Sequence, residues 1–276
     1  MRRHTWFKAG LLGLALALPG PPTAPSAGAN AGANAGANAG ASAIDVAPLT
    51  GTFSLSVGGV TAAELVFDGA YAGGEYRVAA RIATKGLIGR LFSYNADAEV
   101  EGAARTPIAA MPREPDARAG LAPRRFRSES RWQSNARLIE MSYAGAVPRL
   151  SIEPAYDEAP WALDPRTQTD ALDPLSGALT AFGDRPAGAL CDREVRIYDA
   201  RRRFQVTLGP PSRPSAGGVI TCEAEYRRLA GFKPRLLAKP PTPFRVEFAP
   251  GPQDLWRFQR AVAETPYGTA VIARQE

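Results

Sequence analysis

The chain has 276 residues, 45% of them hydrophobic and 22% charged, with a formal net charge of +6. A chain of this length and composition is not a wholly disordered protein, because it has enough apolar residues to form a buried core. It is long enough for one large β domain. The sequence contains one histidine, His4, so chemistry that depends on several histidines is excluded as well.

The first residues have the pattern of a secretory signal peptide. Arg2, Arg3 and Lys8 precede an uncharged run, rich in Leu and Ala, over residues 9–18. Because a helix that spans a bilayer takes about 20 apolar residues, this run of roughly 10 is too short for a membrane anchor. We expect residues 1–29 to be removed on export to the periplasm, with cleavage after residue 43 as the alternative. No later segment predicts a transmembrane helix.

A four-residue repeat, Gly-Ala-Asn-Ala, makes residues 30–49 a low-complexity segment. Side chains this small bury too little apolar surface to offset the entropy that ordering costs. We predict a spacer here, and a single β-rich domain over residues 50–276.

Removal of the signal peptide reduces the number of catalytic and metal-binding mechanisms that the rest of the chain could support. Arg2, Arg3 and Lys8 leave with it, so the formal charge falls from +6 to +3. His4 leaves too, and with it the usual base of serine and cysteine hydrolases and the commonest transition-metal ligand. A carboxylate pair, a Ser/Lys dyad with Ser176 or an all-oxygen calcium site remains chemically open, but no motif supports any of them. We predict no enzymatic activity, no cofactor, no bound metal and no nucleic-acid partner.

From residue 52 onward, short segments alternate apolar and polar residues between Gly, Pro, Asn or Asp turns, which is typical of antiparallel strands. The segments before the middle of the chain are 52–57, 60–67, 75–83, 93–101, 125–132, 137–143 and 147–152. A Pro- and Ala-rich connection over residues 106–123 divides them. The later segments are 194–198, 203–208, 219–229, 244–248, 256–264 and 268–273. We estimate about ten strands in total.

Two segments depart from the strand pattern. Asp173 and Pro174 supply an N-cap and a favoured first residue for a helix over residues 174–182, in which Leu175, Leu179 and Phe182 recur at helical spacing. Between two early strands, residues 86–92 hold an apolar cluster that we interpret as a loop plugging the core. We expect Leu175, Leu179 and Phe182, together with Leu87 and Phe92 of that cluster, to fill the core or to face an apolar ligand.

Cys191 and Cys222 are the two cysteines of the chain. In an exported protein, two cysteines are paired more often than free, whereas redox pairs usually stand two residues apart. We predict a structural disulfide between them.

These elements predict a mainly β fold: a single curved antiparallel sheet or incomplete β-barrel, with the helix over residues 174–182 packed in or over its concave face. Alternating arginines, as in residues 125–131, are interpreted as the solvated face of a strand.

Three motifs resemble one family. They are Asp173-Pro174-Leu175-Ser176, the hairpin around Tyr198-Asp199-Ala200-Arg201, and Cys222 with Tyr226 followed by Ala230-Gly231-Phe232. Together they are similar to the bacterial domain of unknown function 3108, over about residues 50–275. The resemblance implies an exported β-rich protein, and it assigns no catalytic residue. Ala200 departs from the pattern, since a glycine is expected in an Asp-Gly turn.

Two functions fit this sequence. In the first, a curved sheet gated by the helix binds or carries a lipid or another hydrophobic molecule of the cell envelope. In the second, the protein is a non-enzymatic assembly module that docks an envelope protein. An apolar cavity in the folded chain favours the first function, and a packed interior with an exposed patch favours the second.

Overall fold

The fold is seen in a computed structural model that describes residues 49–104, 120–212 and 218–275. The predicted signal peptide and nearly all of the predicted spacer lie outside the described residues, so both stay predictions. The described residues form thirteen β-strands and three short α-helices, together with a few single 3-10 turns.

Seven strands precede the longest helix and six follow it. The first seven are β1 (Gly51–Val57), β2 (Val60–Ala72), β3 (Glu75–Thr84), β4 (Tyr94–Ala104), β5 (Leu121–Trp132), β6 (Asn135–Ala144) and β7 (Val147–Glu153). The last six are β8 (Arg193–Tyr198), β9 (Arg203–Pro211), β10 (Ile220–Ala230), β11 (Thr242–Pro250), β12 (Trp256–Thr265) and β13 (Gly268–Arg274). The helices are α1 (Gly86–Leu91), α2 (Pro174–Phe182) and α3 (Pro234–Leu237).

All thirteen strands belong to one antiparallel sheet, with the order β7-β6-β5-β4-β3-β2-β1-β13-β12-β11-β10-β9-β8. Strands that follow one another in the chain are therefore neighbours in the sheet, except that β1 pairs with β13 and that β7 and β8 form its two edges. The predicted fold class, a mainly β protein built on one open antiparallel sheet, is confirmed. The estimate of about ten strands was too low, because each of the thirteen alternating segments forms a strand of its own.

The register of the sheet separates a buried face from a charged one. On β3, Tyr76, Val78 and Ile82 are buried, whereas Arg77 and Arg81 point outward. The outward arginines pair with carboxylates on the next strand, Arg77 with Glu99 at 3.2 Å and Arg81 with Asp97 at 2.6 Å. Exposed pairs of this kind contribute about 0.2–1 kcal/mol each. The outer face is thus solvated, as the alternating arginines predicted, and the structure adds that many of its charges are paired.

The sheet curves around α2. Seven of the nine residues of this helix are buried, which a flat sheet touching one side of the helix would not achieve. Gly177 allows the close approach to β8, because a Cβ at this position would lie 2.5 Å from Cγ1 of Ile197. The predicted helix over residues 174–182 is confirmed, and it lies on the concave side of the sheet.

The connection between β7 and α2 spans the gap between the two edges of the sheet. The ring of Tyr156 lies between the guanidinium groups of Arg137 on β6, at 4.1 Å, and Arg201 in the β8–β9 turn, at 4.5 Å. Further along, Asp170 forms ion pairs with Arg196, at 2.9 Å, and with Arg203. These contacts link the two edges of the sheet, β7 and β8, without direct pairing between them, which gives the open sheet its barrel-like form.

Residues 86–92 do not plug the core. They form α1, a short additional helix in which Leu87 and Leu91 are 63% and 60% exposed and no residue is buried. Phe92 is half-buried. The apolar residues stand four apart, as 87 with 91 and 88 with 92, so one face of the helix packs and the other meets solvent. The connection predicted over residues 106–123 also ends earlier, because β5 begins at Leu121.

The β8–β9 turn holds Ala200 in an unfavourable backbone conformation. Its φ of 73° lies in the left-handed region, which costs an L-residue about 1–2 kcal/mol more than it costs glycine. The turn is kept by Asp199, whose Oδ1 accepts hydrogen bonds from the backbone N–H groups of Arg201 and Arg202 at 3.0 and 2.6 Å. The side chain of Asp199 therefore compensates for the missing glycine.

Ala200→Gly is expected to stabilise the protein by about 0.5–1 kcal/mol, because relief of the backbone conformation exceeds the extra entropy of glycine in the unfolded chain. Urea unfolding followed by circular dichroism measures the change. Ala146→Gly in the β6–β7 turn is the control, since Ala146 does not share the left-handed conformation and the same substitution there should destabilise. Equal effects of the two substitutions would contradict the expectation.

Candidate functional site

A cavity of about 90 Å³ lies between α2 and the concave face of the sheet. Holding one water takes roughly 10–15 Å³ on this measure, so the space accepts several atoms in a row. A cavity with apolar walls stays dry and is a ready site for an apolar group. This is the candidate functional site.

The walls of the cavity are almost entirely apolar. Phe182 of α2, Phe53 of β1 and Phe258 of β12 form one aromatic wall, with ring centroids 5.4 Å apart for Phe182 and Phe258 and 5.5 Å for Phe53 and Phe258. A second aromatic pair, Phe204 and Tyr226, has its centroids 5.3 Å apart. The other apolar lining residues are Leu49, Leu65, Phe67, Ala80, Ile82, Pro174, Leu175, Ala178, Ile197 and Ile272.

The N-terminus of α2 is fixed by a buried cap. Oδ1 of Asp173 accepts hydrogen bonds from the backbone N–H groups of Leu175 and Ser176, both at 3.0 Å. Burial raises the pKa of Asp173, and these hydrogen bonds oppose the rise. One turn in, the hydroxyls of Ser176 and Tyr76 of β3 are hydrogen-bonded at 2.7 Å. The start of the helix is therefore tied to the sheet by polar contacts that do not involve the cavity.

Two buried arginines hold the C-terminal end of α2. Arg185 is 1% exposed and donates to the carbonyl oxygens of Leu179 and Thr180, and Arg193 donates to the carbonyl oxygen of Thr180 at 3.1 Å. Burial, followed by the nearby charge of Arg193, lowers the pKa of Arg185. Cations suit this position, because the last carbonyls of a helix lack intrahelical donors and carry partial negative charge. With both ends anchored, α2 keeps its distance from the sheet.

Polar groups lie at one end of the cavity, where β8 turns into β9. Asp199 and Arg202 from that turn line the cavity, and Tyr226 of β10 joins them. The guanidinium of Arg202 lies 5.6 Å from the ring centre of Phe232, and no carboxylate within the described parts of the chain forms an ion pair with it. An arginine that forms no ion pair among the described residues stands beside an apolar space, which suits a ligand with an apolar body and an anionic end.

The electrostatics of this end favour a neutral tyrosine. Burial raises the pKa of Tyr226 to about 12, with the charges of Arg228 and Arg202 opposing and that of Asp199 reinforcing the rise. Burial also raises the pKa of Asp199, against the opposing charges of Arg202 and Arg201. The hydroxyl of Tyr226 thus stays protonated and able to donate a hydrogen bond.

The structure pairs Cys191 and Cys222 as predicted, with Cα atoms 5.7 Å apart. Cys191 lies two residues before β8, and Cys222 lies on β10, so the link crosses β9. Both cysteines are buried. The disulfide ties the edge strand on which α2 packs to the interior of the sheet.

The structure separates the five apolar residues that the sequence singled out. Leu175 and Phe182 line the cavity, and Leu179 is fully buried in the core without lining it. Leu87 is exposed on α1 and Phe92 follows that helix, so neither belongs to the site.

Sequence reasoning missed the polar end of the cavity. The sequence places Asp199 in a turn and gives no reason to single out Arg202, whereas an inward position can be inferred for Tyr226, which shares a strand face with Cys222. Alternation along a strand shows which residues face inward, but it does not show which of them border empty space. Only the folded chain reveals that the β8–β9 turn reaches the cavity.

The Ser176 hydroxyl is hydrogen-bonded to a tyrosine, and none of the described lysines is buried beside it. Ser176 is fully buried, and its hydroxyl meets Tyr76, whereas Lys85, Lys233 and Lys239 are exposed. Within residues 49–104, 120–212 and 218–275, no group of three or more His, Cys, Asp or Glu side chains is placed to hold a metal ion. The same part of the chain contains no helix long and apolar enough to cross a membrane.

Fold and site together define a class, an open barrel-like β-sheet protein with an internal helix and an apolar cavity beside it. Among solved structures, the chain is similar to a β-barrel-like protein of the domain of unknown function DUF1849 from Brucella abortus. The two share 10% sequence identity over 84% of this chain and 98% of the other, with a TM-score of 0.43. No family model and no curated protein matches the chain. The resemblance to the domain of unknown function 3108 therefore stays a prediction.

Proposed function

We propose that the protein binds a lipid or another hydrophobic molecule in the cavity between α2 and the sheet, as an exported, non-enzymatic component of the cell envelope. One observation carries the proposal: an apolar cavity adjoins the internal helix, with Arg202 and Tyr226 at one end. The helix is anchored by contacts outside the cavity, so the space does not depend on a ligand to exist. The pattern of the first residues and the resemblance to the domain of unknown function 3108 support the export.

The alternative, an assembly module that docks an envelope protein through its arginine-bearing outer face, has weaker support. Outward arginines of the sheet meet carboxylates of the same face, as Arg125 meets Glu140 at 2.8 Å and Arg260 meets Glu247 at 2.7 Å. A surface that neutralises itself offers little charge to a partner.

Native mass spectrometry of the protein, purified from its own cells, tests the proposal. The same sample after delipidation is the control. A reproducible bound apolar molecule, absent after delipidation and restored by adding the lipid extract, is the expected result. A protein that is empty as isolated and takes up nothing from the extract would overturn the proposal.

A substitution that fills the cavity should abolish this binding. Ala178→Phe adds a ring to the half-buried lining of the site, where it displaces at least two ligand methylenes worth about 0.8 kcal/mol each. We expect affinity for the extracted ligand, or for a fluorescent apolar probe, to fall at least tenfold, since about 1.4 kcal/mol corresponds to that factor. Fluorescence titration measures the affinity.

Ala136→Phe on β6 is the matched control, because Ala136 is exposed and does not line the cavity. The control variant should bind as the unaltered protein does. If Ala178→Phe folds normally and keeps its affinity, the ligand does not occupy this cavity.

A further inference from the structure

Exposed apolar side chains gather at one end of the sheet. In an antiparallel sheet, successive turns alternate between the two ends, and the order of the strands fixes which turns lie together. The β1–β2 turn, α1 between β3 and β4, the β8–β9 turn, the segment with α3 between β10 and β11, and the β12–β13 turn all fall at the same end. We call these five connections the rim, and they follow one another along the sheet. The β5–β6 turn also lies at this end, on the far side of α1.

Five of the six large hydrophobic side chains exposed within the described residues belong to the rim. Leu87 and Leu91 of α1 are 63% and 60% exposed, and the others are Val60, Leu237 and Tyr267. The sixth lies on the outer face of β2. Exposed hydrophobic side chains that are scattered singly are normal on a protein surface, whereas a cluster of them marks an interaction site.

Direct contacts join three of these connections. The backbone N–H of Gly58, in the β1–β2 turn, donates to the carbonyl oxygen of Thr269, beside the β12–β13 turn, at 3.0 Å. On the other side, the backbone N–H of Lys85 donates to the carbonyl oxygen of Ala62 on β2 at 2.9 Å. The connections that carry Tyr267, Val60 and α1 are therefore adjacent, and we call their exposed side chains the apolar strip.

Positive charge accompanies this strip. The described lysines are Lys85, Lys233 and Lys239, and all three belong to the rim. Arg90 on α1 and Arg235 on α3 are exposed as well.

The β8–β9 turn adds Arg201 and Arg202, against one acidic residue in the five connections, the buried Asp199. Lys85 pairs with Glu64 of β2 at 3.1 Å, so the charge of this one lysine is offset. Acidic groups also stand next to the rim. Glu264 is exposed on β12 beside the β12–β13 turn, and Asp157, Glu158 and Asp164 belong to the segment after β7, whose Trp161 lies 5.9 Å from the Lys233 ammonium.

We propose that the rim docks onto the surface of an anionic lipid bilayer. Exposed leucines, a tyrosine and flanking cations on the same surface match what an interfacial binding site requires: apolar side chains that enter the headgroup region and charges that attract anionic lipid. A protein partner with an acidic surface would need no protruding leucines. Lysine side chains are flexible and strongly hydrated, so they suit mobile lipid headgroups better than carboxylates held in fixed positions on a protein. The proposal does not rest on the ligand of the cavity.

The rim and the polar end of the cavity share the β8–β9 turn. Arg202 lines the cavity and belongs to the rim through the same turn as Arg201. A bilayer bound at the rim would therefore face the end of the cavity that carries Tyr226. An apolar molecule entering or leaving there would pass between membrane and protein with little exposure to water.

Vesicle sedimentation tests the proposal with protein purified from cells that express the full chain. Vesicles of phosphatidylglycerol and phosphatidylethanolamine should bind it, and phosphatidylcholine vesicles should bind at least tenfold more weakly. Binding to the anionic vesicles should also fall as salt is raised, because the attraction is screened. No binding to anionic vesicles, or equal binding to both kinds, would overturn the proposal.

Two double variants separate the apolar and the charged contributions. Leu87→Ser with Leu91→Ser should weaken binding at least tenfold, because two apolar side chains no longer enter the headgroup region. Lys233→Ala with Lys239→Ala should weaken it about 25-fold, at roughly fivefold for each lysine near the surface. The controls are Val66→Ser and Arg149→Glu, which change an exposed apolar and an exposed charged residue away from the rim. Controls that weaken binding as much as the rim variants would contradict the assignment.

The outcome also separates this proposal from the cavity function. The four variants should leave binding of an apolar probe in the cavity unchanged, so loss of vesicle binding alone identifies the rim. A protein that ignores vesicles but associates with itself, and loses that association in the leucine variant, would assign the rim to a second copy of the chain and overturn the membrane proposal.

Discussion

Reduction of the disulfide between Cys191 and Cys222 is expected to lower the free energy of unfolding by about 3–4 kcal/mol. The crosslink closes a loop with a sequence separation of 31 residues, and the entropy it removes from the unfolded chain has that magnitude. For a domain of this size, each kcal/mol shifts the melting temperature by about 2–4 °C, so a fall of roughly 10 °C should accompany reduction. Urea unfolding with and without reductant measures the effect.

The loss of stability on reduction should differ between parts of the fold. β8 is an edge strand: β9 pairs with it on one side, and a single bridge to Leu172 is its backbone pairing on the other. The disulfide ties the start of β8 to β10. Hydrogen exchange should therefore rise more in β8 and α2 than in β3 and β4, which have neighbours on both sides. Reductant should have no effect on Cys191→Ala with Cys222→Ala, which is the control. A loss below about 1 kcal/mol, or two reactive thiols in the untreated protein, would contradict a structural disulfide.

Local rules were enough to predict the helix to the residue. Asp173 caps α2, Pro174 begins it, and the spacing of Leu175, Leu179 and Phe182 gives it one apolar stripe. All these signals act within a few residues of one another, so the rest of the fold does not change them. The strand segments were predictable for the same reason, because alternation is a property of each segment alone.

Features that depend on distant parts of the chain were not predictable. The pairing of β1 with β13 joins residues more than 200 positions apart, as Phe53 with Arg274, and no local pattern specifies it. The burial of Arg185 likewise contradicts its hydropathy, because carbonyl groups at the end of α2 give it partners that only the folded chain supplies. The cavity is a volume left between elements, and sequence patterns do not measure volumes.

The helix α1 shows a different limit of prediction from sequence. The spacing of Leu87 and Leu91 was present in the sequence and indicates a helix, but six residues are too few for periodicity to decide between a helix and a loop. Periodicity also predicts that a helix has two faces without showing what each face meets. Here the helix lies beyond the end of the strands, where none of the described elements covers Leu87, so an apolar segment that suggests a core becomes part of the rim.

Gly231→Ala is expected to lower the free energy of unfolding by about 2–5 kcal/mol. Gly231 follows β10 with a φ of +79°, which costs a non-glycine residue about 1–2 kcal/mol. A Cβ there would also overlap the carbonyl oxygen of Arg201 and lie 2.8 Å from the Cα of Arg202, so backbone must move, at a further cost of about 1–3 kcal/mol. Urea unfolding measures the total.

The control isolates the second of these two costs. Gly59 has nearly the same φ, +82°, and a Cβ there would meet nothing within 4 Å. Gly59→Ala should therefore cost about 1–2 kcal/mol, from its backbone conformation alone. The larger loss in Gly231→Ala should come with weaker binding of an apolar probe in the cavity, since the displaced β8–β9 turn carries Arg202 and Asp199 into the site. If both variants lose the same stability, the β8–β9 turn yields without cost, and Gly231 does not hold the polar end of the cavity in place.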